Sequence, residues 1–299
     1  MCAAFLLKLD YAMGPMRIIV CLKQIRYTYT RTGRDPRQNF LAPEDQISRV
    51  NPYDETALEW ALRVREQHGG GEVFILTLGR LTAETDLRRC LAMGADGLYQ
   101  LESDAIMDTW AKSGLLARAA KDLAADLVLC GKNSLDTGNG QIGAYLAHRL
   151  QMPFISAITD LVISKENRKV RAQRKANRGS RQVIECRLPA VISVELGTAV
   201  PRMPSFVDKK EALAAPITKL LYEDAGQSKV TVKRVFPPRP RPKRIPAPPS
   251  HLASFERISR LIGGSRVEKK STLLEGSTEL QLEGIISFLM KHGFIDSGQ

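Results

Sequence analysis

Short apolar runs alternate with segments of helical periodicity through the first half of the chain. The apolar runs predict β-strands at 17–22, 72–78, 97–101 and 126–130. The periodic segments predict α-helices at 54–67, 83–93, 108–124 and 142–150. Strands and helices in this alternation place helices on both faces of a parallel sheet. The pattern therefore predicts an α/β fold with a doubly wound parallel sheet.

The pattern changes after Pro153, where β-branched residues alternate with polar ones. Four such stretches predict antiparallel hairpins that cap or extend the sheet, at 156–164, 169–175, 182–188 and 190–194. Beyond Thr198 the chain has the composition of an extended arm, and seven prolines between Pro237 and Pro249 favour a stiff spacer. A short amphipathic helix is predicted at 280–292.

A glycine-rich loop separates the predicted strand at 126–130 from the predicted helix at 142–150. Backbone N–H groups of such a loop can approach a phosphate closely, and the dipole of the following helix favours an anion there. The spacing is neither that of a Walker A loop nor GxGxxG, because Lys132 precedes the loop and no GK[ST] follows it. The loop predicts a nucleotide at the carboxyl end of the sheet, with a purely structural turn as the alternative.

The formal charge of +12 raises the question of an anionic partner. Much of the excess is concentrated in two segments, 165–187 and 233–244. No aromatic residues interleave the first segment and no nucleic-acid-binding motif is present, so we expect no nucleic-acid partner. A solvated face or a docking surface for an acidic protein is the better interpretation. No apolar run approaches the roughly 18 residues of a membrane span, so we expect no membrane insertion.

Cysteine and histidine usage argues against metal or nucleophilic chemistry. The five cysteines have no paired spacing, and Cys21, Cys90 and Cys130 lie in apolar segments. This predicts buried free thiols in a reducing cytoplasm. The four histidines are dispersed, so no metal site is expected. No nucleophile with a base is evident either, and we expect no independent catalytic site.

Six motifs in the same order and at the same intervals resemble the β subunit of electron transfer flavoproteins. The resemblance covers approximately 16–206. The motifs are IIVCLKQ at 18–24, NPYDETALEWAL at 51–62, TLG at 77–79, CLAMGADG at 90–97, LCGKNSLDTGNGQIG at 129–143 and LPAVISVE at 188–195.

The resemblance implies an adenine-nucleotide α-hydrolase-like fold that binds AMP or FAD along the carboxyl edge of its sheet. The positions that match the family's nucleotide site are Cys21, Asn51, Pro52, Tyr53, Asp54, Leu78, Gly131, Lys132, Asn133, Ser134, Asp136, Thr137, Gly138, Asn139, Gly140, Gln141 and Ile142. Within this set, Asp136 and Gln141 are expected to bind ribose or adenine. The loop residues 138–140 are expected to donate N–H groups to a phosphate. The alternatives are that Asp136 caps a turn and that Cys21 belongs to the core.

The resemblance also implies partners. The expected assembly is a heterodimer with an α subunit that carries its own FAD. It would take electrons from a flavin dehydrogenase, such as an acyl-CoA dehydrogenase of fatty acid β-oxidation, and pass them to a membrane or soluble quinone-linked oxidoreductase. We expect a candidate N-terminal extension at 1–15, a nucleotide-binding domain at 16–197, and at 198–299 a partner-recognition loop and an arm that wraps the α subunit. Phe206 would anchor in the dehydrogenase, or alternatively pack on the sheet.

The segment DTWAKS at 108–113 bears on which nucleotide is bound. It is similar to the DTWATS segment of electron-bifurcating members of the family, in which the β site holds a second FAD reduced by NADH. The resemblance implies that Asp108, Thr109 and Ser113 contact a pyrophosphate, which favours FAD over AMP. Lys112 stands where that segment has threonine, and the alternatives for its side chain are a pairing with a phosphate or a position in solvent. The simpler alternative is that Asp108 or Thr109 only caps the helix.

Two segments depart from the family pattern. Residues 173–186 are basic where the family is acidic and glycine-rich, and the hairpin at 24–49 lacks the usual VPD lead. These departures indicate a divergent branch. Two other function classes share parts of the pattern: a nucleotide-binding sensor of the universal-stress type, and an enzyme that adenylates or hydrolyses a nucleotide. The long arm and NPYDE argue against the first, and the lack of an SGGxDS-like motif argues against the second.

Overall fold

The computed structural model describes residues 15–28, 46–103, 107–164, 168–222, 228–234, 248–263, 273–291 and 295. The chain divides into two compact units, residues 1–240 and 241–299. Residues 1–14 of the predicted extension and the proline-rich stretch 235–247 lie outside the described residues. Among the described residues, no helix has the length and apolar character needed to cross a bilayer.

Eleven strands and seven α-helices are described. The strands are β1 Arg17–Cys21, β2 Gln24–Thr28, β3 Gln46–Val50, β4 Glu72–Leu78, β5 Gly97–Leu101, β6 Leu127–Gly131, β7 Phe154–Ile163, β8 Lys169–Lys175, β9 Arg181–Arg187, β10 Ala190–Val194 and β11 Ile217–Leu220. The helices are α1 Pro52–His68, α2 Glu84–Ala92, α3 Thr109–Asp122, α4 Ile142–Leu150, α5 Phe206–Ala214, α6 Ser254–Gly263 and α7 Thr278–Lys291.

The central sheet has nine strands in the order β11-β5-β4-β1-β6-β10-β7-β8-β9. The strands from β11 to β7 are parallel, and β8 and β9 add an antiparallel hairpin at one edge. The predicted doubly wound parallel sheet with an antiparallel extension is confirmed. The basic segment predicted to face solvent or an acidic partner forms much of β8 and β9. Strands β2 and β3 pair separately, as expected for a hairpin starting at residue 24.

The prediction for 190–194 was wrong. This segment is not part of an antiparallel hairpin, because β10 lies between β6 and β7 and is parallel to both. All five of its residues are buried. A strand covered on both faces reads as a continuous apolar run instead of an alternation, and AVISV has that character.

Two hydrophobic layers enclose the sheet. Alternate residues of β1 point to opposite faces, so Ile18 and Val20 pack with α1 and α2, whereas Ile19 and Cys21 pack with α3 and α4. Helix α1 begins with Pro52 in its first turn and ends at Gly69, whose positive φ of 74° suits a glycine C-cap. The expected burial of free thiols is confirmed for all three central cysteines.

The chain beyond β10 returns to the body before it enters the second unit. Ser205 and Asp208 form a capping box that starts α5, and β11 then adds a parallel strand beside β5. Neither element was predicted from the sequence, and α6 was missed as well. The predicted C-terminal helix is confirmed as α7.

Candidate functional site

The cavity lies where the order of strands reverses. Strand β1 has β4 on one side and β6 on the other. The chain therefore adds β4 and β5 on one side of β1 and then crosses to add β6 on the other side. Such a switch point leaves a crevice at the carboxyl ends of the strands. A cavity of about 930 Å³ opens there, and its floor is formed by the ends of these three strands, with Cys21, Leu78 and Gly131 among the lining residues.

Sixteen of the twenty nucleotide-site residues predicted from the sequence line this cavity. They are Cys21, Asn51, Asp54, Leu78, Asp108, Thr109, Gly131, Lys132, Asn133, Ser134, Asp136, Thr137, Asn139, Gly140, Gln141 and Ile142. The four that do not line it are Pro52, Tyr53, Ser113 and Gly138. The structure therefore gathers around one space the ends of strands β1, β4 and β6, the starts of α1 and α3, and the glycine-rich loop that leads into α4.

Ser113 faces away from the cavity. Its side chain is fully buried, donates to the Trp110 carbonyl at 2.7 Å and accepts from Arg149 Nε at 3.0 Å. The hydroxyl is thus used to pack α3 against α4. A contact between Ser113 and a pyrophosphate, which the sequence comparison implied, does not follow from this arrangement.

Asp54 joins two strand ends beneath the cavity. One carboxylate oxygen accepts from the backbone N–H of Lys23 and the other from that of Gly131, each at 2.8 Å. Burial raises the pKa of Asp54 to about 7, and these N–H donors work in the opposite direction. Because both oxygens are engaged by backbone, the carboxylate positions the strand ends and has little capacity left for a ligand.

Lys23 fixes the conformation of the glycine-rich loop. Its Nζ donates to Asp136 Oδ1 at 2.6 Å, to Thr137 Oγ1 at 3.0 Å and to Ser134 Oγ at 3.1 Å. Partial burial raises the pKa of Asp136, but the hydrogen bonds from Lys23, Ser134 and the Thr137 backbone, together with the charge of Lys23, lower it by more, so the net pKa is lowered. The loop is therefore held in place by side chains already present, and its Asp136 is a carboxylate.

The side chain of Asn133 has a buried hydrogen-bond acceptor to which no described residue donates. Its backbone carbonyl accepts from Asn51 Nδ2 at 2.8 Å, but its side-chain Oδ1 is buried and has no partner among the described residues. Gly140 has a φ of +62°, and a Cβ there would lie 3.0 Å from this oxygen. Buried acceptors are nearly always paired. An N–H or O–H group of a ligand would satisfy this one, and the glycine leaves it room.

The start of α3 forms the opposite wall. Asp108 caps the helix, as the simpler alternative supposed, because its Oδ1 accepts from Ala111 N–H at 2.8 Å. Its Oδ2 accepts from the backbone N–H of Lys229 at 2.7 Å. The hydrogen bond from Ala111 is the main cause of its lowered pKa. The Lys229 ammonium lies 4.2 Å from the Trp110 ring centroid, so this wall includes part of the arm.

The cavity is lined by more cations than the sequence indicated. Lys132 pairs with Glu195 at 2.7 Å, whereas the ammonium of Lys112 has no hydrogen-bond or ion-pair partner among the described residues. Burial and the charge of Lys23 lower the pKa of Lys112. Lining residues outside the predicted site include Lys23, Gln24, Arg26, Trp110, Tyr145, Lys229 and Val230, and Lys112, for which a phosphate contact was one alternative, lines the cavity as well. Lys23 could have been predicted as a lining residue, because it follows the apolar strand directly in the motif IIVCLKQ.

These features define a class: a doubly wound α/β protein with a glycine-rich, cation-lined cavity at its switch point. A model of the electron transfer flavoprotein domain matches residues 40–225. The chain is 38% identical over 216 residues to the caffeyl-CoA reductase–Etf complex subunit CarD of Acetobacterium woodii, covering 71% of this chain and 81% of that protein.

Two further relatives agree. The chain is 33% identical over 211 residues to electron transfer flavoprotein subunit beta of Thermoanaerobacterium thermosaccharolyticum, covering 70% of this chain and 79% of that protein. It is 32% identical over 249 residues to Protein FixA of Sinorhizobium fredii, covering 77% and 86%. The chain belongs to the electron transfer flavoprotein family, as a β-type subunit. The universal-stress-type alternative is not favoured.

Proposed function

We propose that the cavity holds FAD and that the chain works as the β subunit of a heterodimer whose α subunit carries a second FAD. The observation that carries this proposal is the extent of the cavity, which touches both the glycine-rich loop and the first turn of α3. These are separate walls, and a ligand in contact with both needs more than one polar group along its length. A volume of about 930 Å³ suits such a ligand, since ligand cavities run from roughly 300 to 1,000 Å³.

The residues present fit a nucleotide. Among the described residues, the buried acceptor of Asn133 has no donor and the ammonium of Lys112 has no hydrogen-bond or ion-pair partner, and the glycines of the loop permit close approach to its backbone N–H groups. Bound FAD supplies the redox chemistry, by exchanging electrons with a donor and an acceptor. The chain itself binds and orients the ligand, and its buried thiols, whose pKa values are raised by burial, stay protonated.

AMP is the second candidate, and one observation favours it. Two of the groups expected to contact a pyrophosphate are already used, because Ser113 is buried against Arg149 and both oxygens of Asp108 accept backbone N–H groups. Extraction and quantification of nucleotides from the purified heterodimer separates the two. Two FAD per heterodimer is the expected result, and one FAD with one AMP would overturn the proposal.

We also propose the α subunit as an obligate partner. Helix α6 has the apolar side chains Phe255, Ile258 and Leu261 at spacings of three, all exposed, and Phe255 is 85% exposed. An exposed apolar stripe on a helix is typical of a surface that another protein covers. Expression of the full chain alone should give aggregated or non-cooperatively unfolding protein, and co-expression with the α subunit should rescue it. A monodisperse, cooperative monomer would contradict this.

The electron donor or acceptor is proposed to be a flavin dehydrogenase acting on a CoA thioester, by analogy with the relative named for a caffeyl-CoA reductase complex. An acyl-CoA dehydrogenase as the electron donor and a quinone-linked oxidoreductase as the electron acceptor would fit. A second FAD would also permit electron bifurcation with NADH, and we propose this as a further activity. Phe206, 82% exposed at the start of α5, is the proposed anchor for this partner.

The segment before Phe206 is held firmly enough to present it. Arg202 donates to Glu59 Oε2 at 2.9 Å and also forms an ion pair with Glu66, and both carboxylates lie on α1. Hydrogen bonds from the Arg202 side chain are the main factor lowering the pKa of Glu66. The docking segment is thereby tied to the rigid body of the protein.

A further inference from the structure

Lys112 is a partly buried cation that forms no ion pair with a described residue, although the charges of Asp136 and Asp108 act on it. It lies in the first turn of α3, lines the cavity and donates no hydrogen bond to another described residue. Leaving an ammonium partly desolvated and unpaired is unfavourable, and its lowered pKa, caused first by burial and then by Lys23, reflects that cost.

The acidic groups near Lys112 are already occupied. Asp136 pairs with Lys23 at 2.6 Å, and Asp108 accepts two backbone N–H groups. Lys112 and Lys23 are close enough for the charge of one to lower the pKa of the other. Two lysines therefore line the same cavity, and the carboxylates near them already accept hydrogen bonds from other donors. This arrangement favours the binding of an anionic group of the ligand.

We propose that Lys112 binds the second phosphate of a diphosphate-containing adenine nucleotide and makes the site prefer a diphosphate to AMP. This inference rests on the proposed nucleotide function and deepens it. A lysine binds phosphate as a compact point charge with three N–H donors. Asp108 is used to cap α3, whereas the side chain of Lys112 takes no part in that cap and can contact a phosphate. The residue that departs from the family's DTWATS segment thus supplies the contact that Ser113 does not make.

The test uses ADP and AMP as probes, since they differ by one phosphate and neither contains a flavin. The full chain, co-purified with its α subunit and stripped of nucleotide at the β site, is titrated with each by calorimetry. The variants are Lys112→Met, Lys112→Thr and Lys112→Arg. Lys121→Met is the matched control, because Lys121 lies at the other end of α3 and is exposed.

The parent should bind ADP at least about tenfold more tightly than AMP, as expected for one charged hydrogen-bonded contact. Lys112→Met should abolish most of that ratio, Lys112→Arg should retain most of it, and Lys121→Met should leave it unchanged. Equal affinities for ADP and AMP in the parent, or an unchanged ratio in Lys112→Met, would overturn the role of Lys112. Failure of the parent to bind AMP, ADP and FAD would instead overturn the nucleotide site itself.

Discussion

The two walls of the cavity differ in how far their charged side chains are engaged by the protein itself. On the wall formed by the strand ends and the glycine-rich loop, Asp54 bridges two backbone amides and Lys23 donates to three loop side chains. On the wall formed by α3, Lys112 has no partner among the described residues. The first wall is organised before any ligand arrives, and the second offers a charge for the ligand to meet. We propose that the first wall positions the nucleotide and that the second distinguishes a diphosphate from AMP.

The largest effect is expected from breaking the organised wall at Asp54. Asp54→Ala leaves the buried N–H groups of Lys23 and Gly131 without their acceptor, which typically costs about 1–3 kcal/mol for each group. Thermal unfolding should shift down by many degrees, and the purified heterodimer should lose its β-site nucleotide. Glu185→Ala, at an exposed position on β9, is the control and should change neither. A fully loaded, equally stable Asp54→Ala protein would mean that the carboxylate does not organise this wall.

Phe206 probes the docking segment, away from both walls. Phe206→Ala should weaken binding to the dehydrogenase by about 2 kcal/mol, because an exposed aromatic anchor is a typical hot spot. Its nucleotide content should stay the same. Leu213→Ala, another exposed apolar residue of α5, serves as the control. Equal dehydrogenase affinity in Phe206→Ala and the parent would exclude this residue as the anchor.

Lys23 should affect the loop more than the fold. Lys23→Met removes the donor to Ser134, Asp136 and Thr137 but keeps the backbone N–H that binds Asp54. We expect nucleotide affinity to fall about tenfold, the loss of one or two charge-assisted bonds, while thermal stability changes little. Calorimetric titration with AMP measures this. An unchanged affinity would show that the loop keeps its conformation without the lysine.

A further effect concerns pH. The pKa of Asp54 is about 7 in the folded chain against an ordinary value of 3.8, so the folded state binds this proton more tightly than the unfolded state. The contribution of this group to stability is fully present below pH 3.8 and is lost as pH rises through about 7. Between pH 5 and 8 the parent should therefore lose more unfolding free energy than Asp54→Asn, as measured in urea. A parent that gains stability relative to Asp54→Asn over this range would contradict the raised pKa.

The organised wall was the more predictable of the two. Its strands and glycine-rich loop are local patterns of apolar runs and glycines, which sequence reveals directly. The contacts that complete both walls are not local: Lys23 meets Asp136 across 113 residues on the first wall, and Lys229 meets Asp108 across 121 on the second. Nothing in either segment by itself indicates such a pairing. The burial of Ser113 also depends on where α4 packs, which the periodicity of α3 alone does not determine.

The same distinction explains the misplaced strand β10 and the missed strand β11. Strand β10 was predicted as a strand but placed in a hairpin; both its faces are covered, by the layer of α1 on one side and that of α4 on the other, and this is a property of the fold and not of the segment. Strand β11 is short, and its residues are only partly buried, so its place beside β5 left little signal in the sequence.

Amide hydrogen exchange of the full heterodimer, with and without nucleotide, tests most directly whether one ligand contacts both walls. With FAD added to the nucleotide-free β site, we expect slower exchange in two separate segments, the loop at 131–142 and the start of α3 at 108–113. With AMP, protection should be confined to the loop. Protection of the loop alone with both FAD and AMP, or of neither segment, would contradict a ligand held between the two walls.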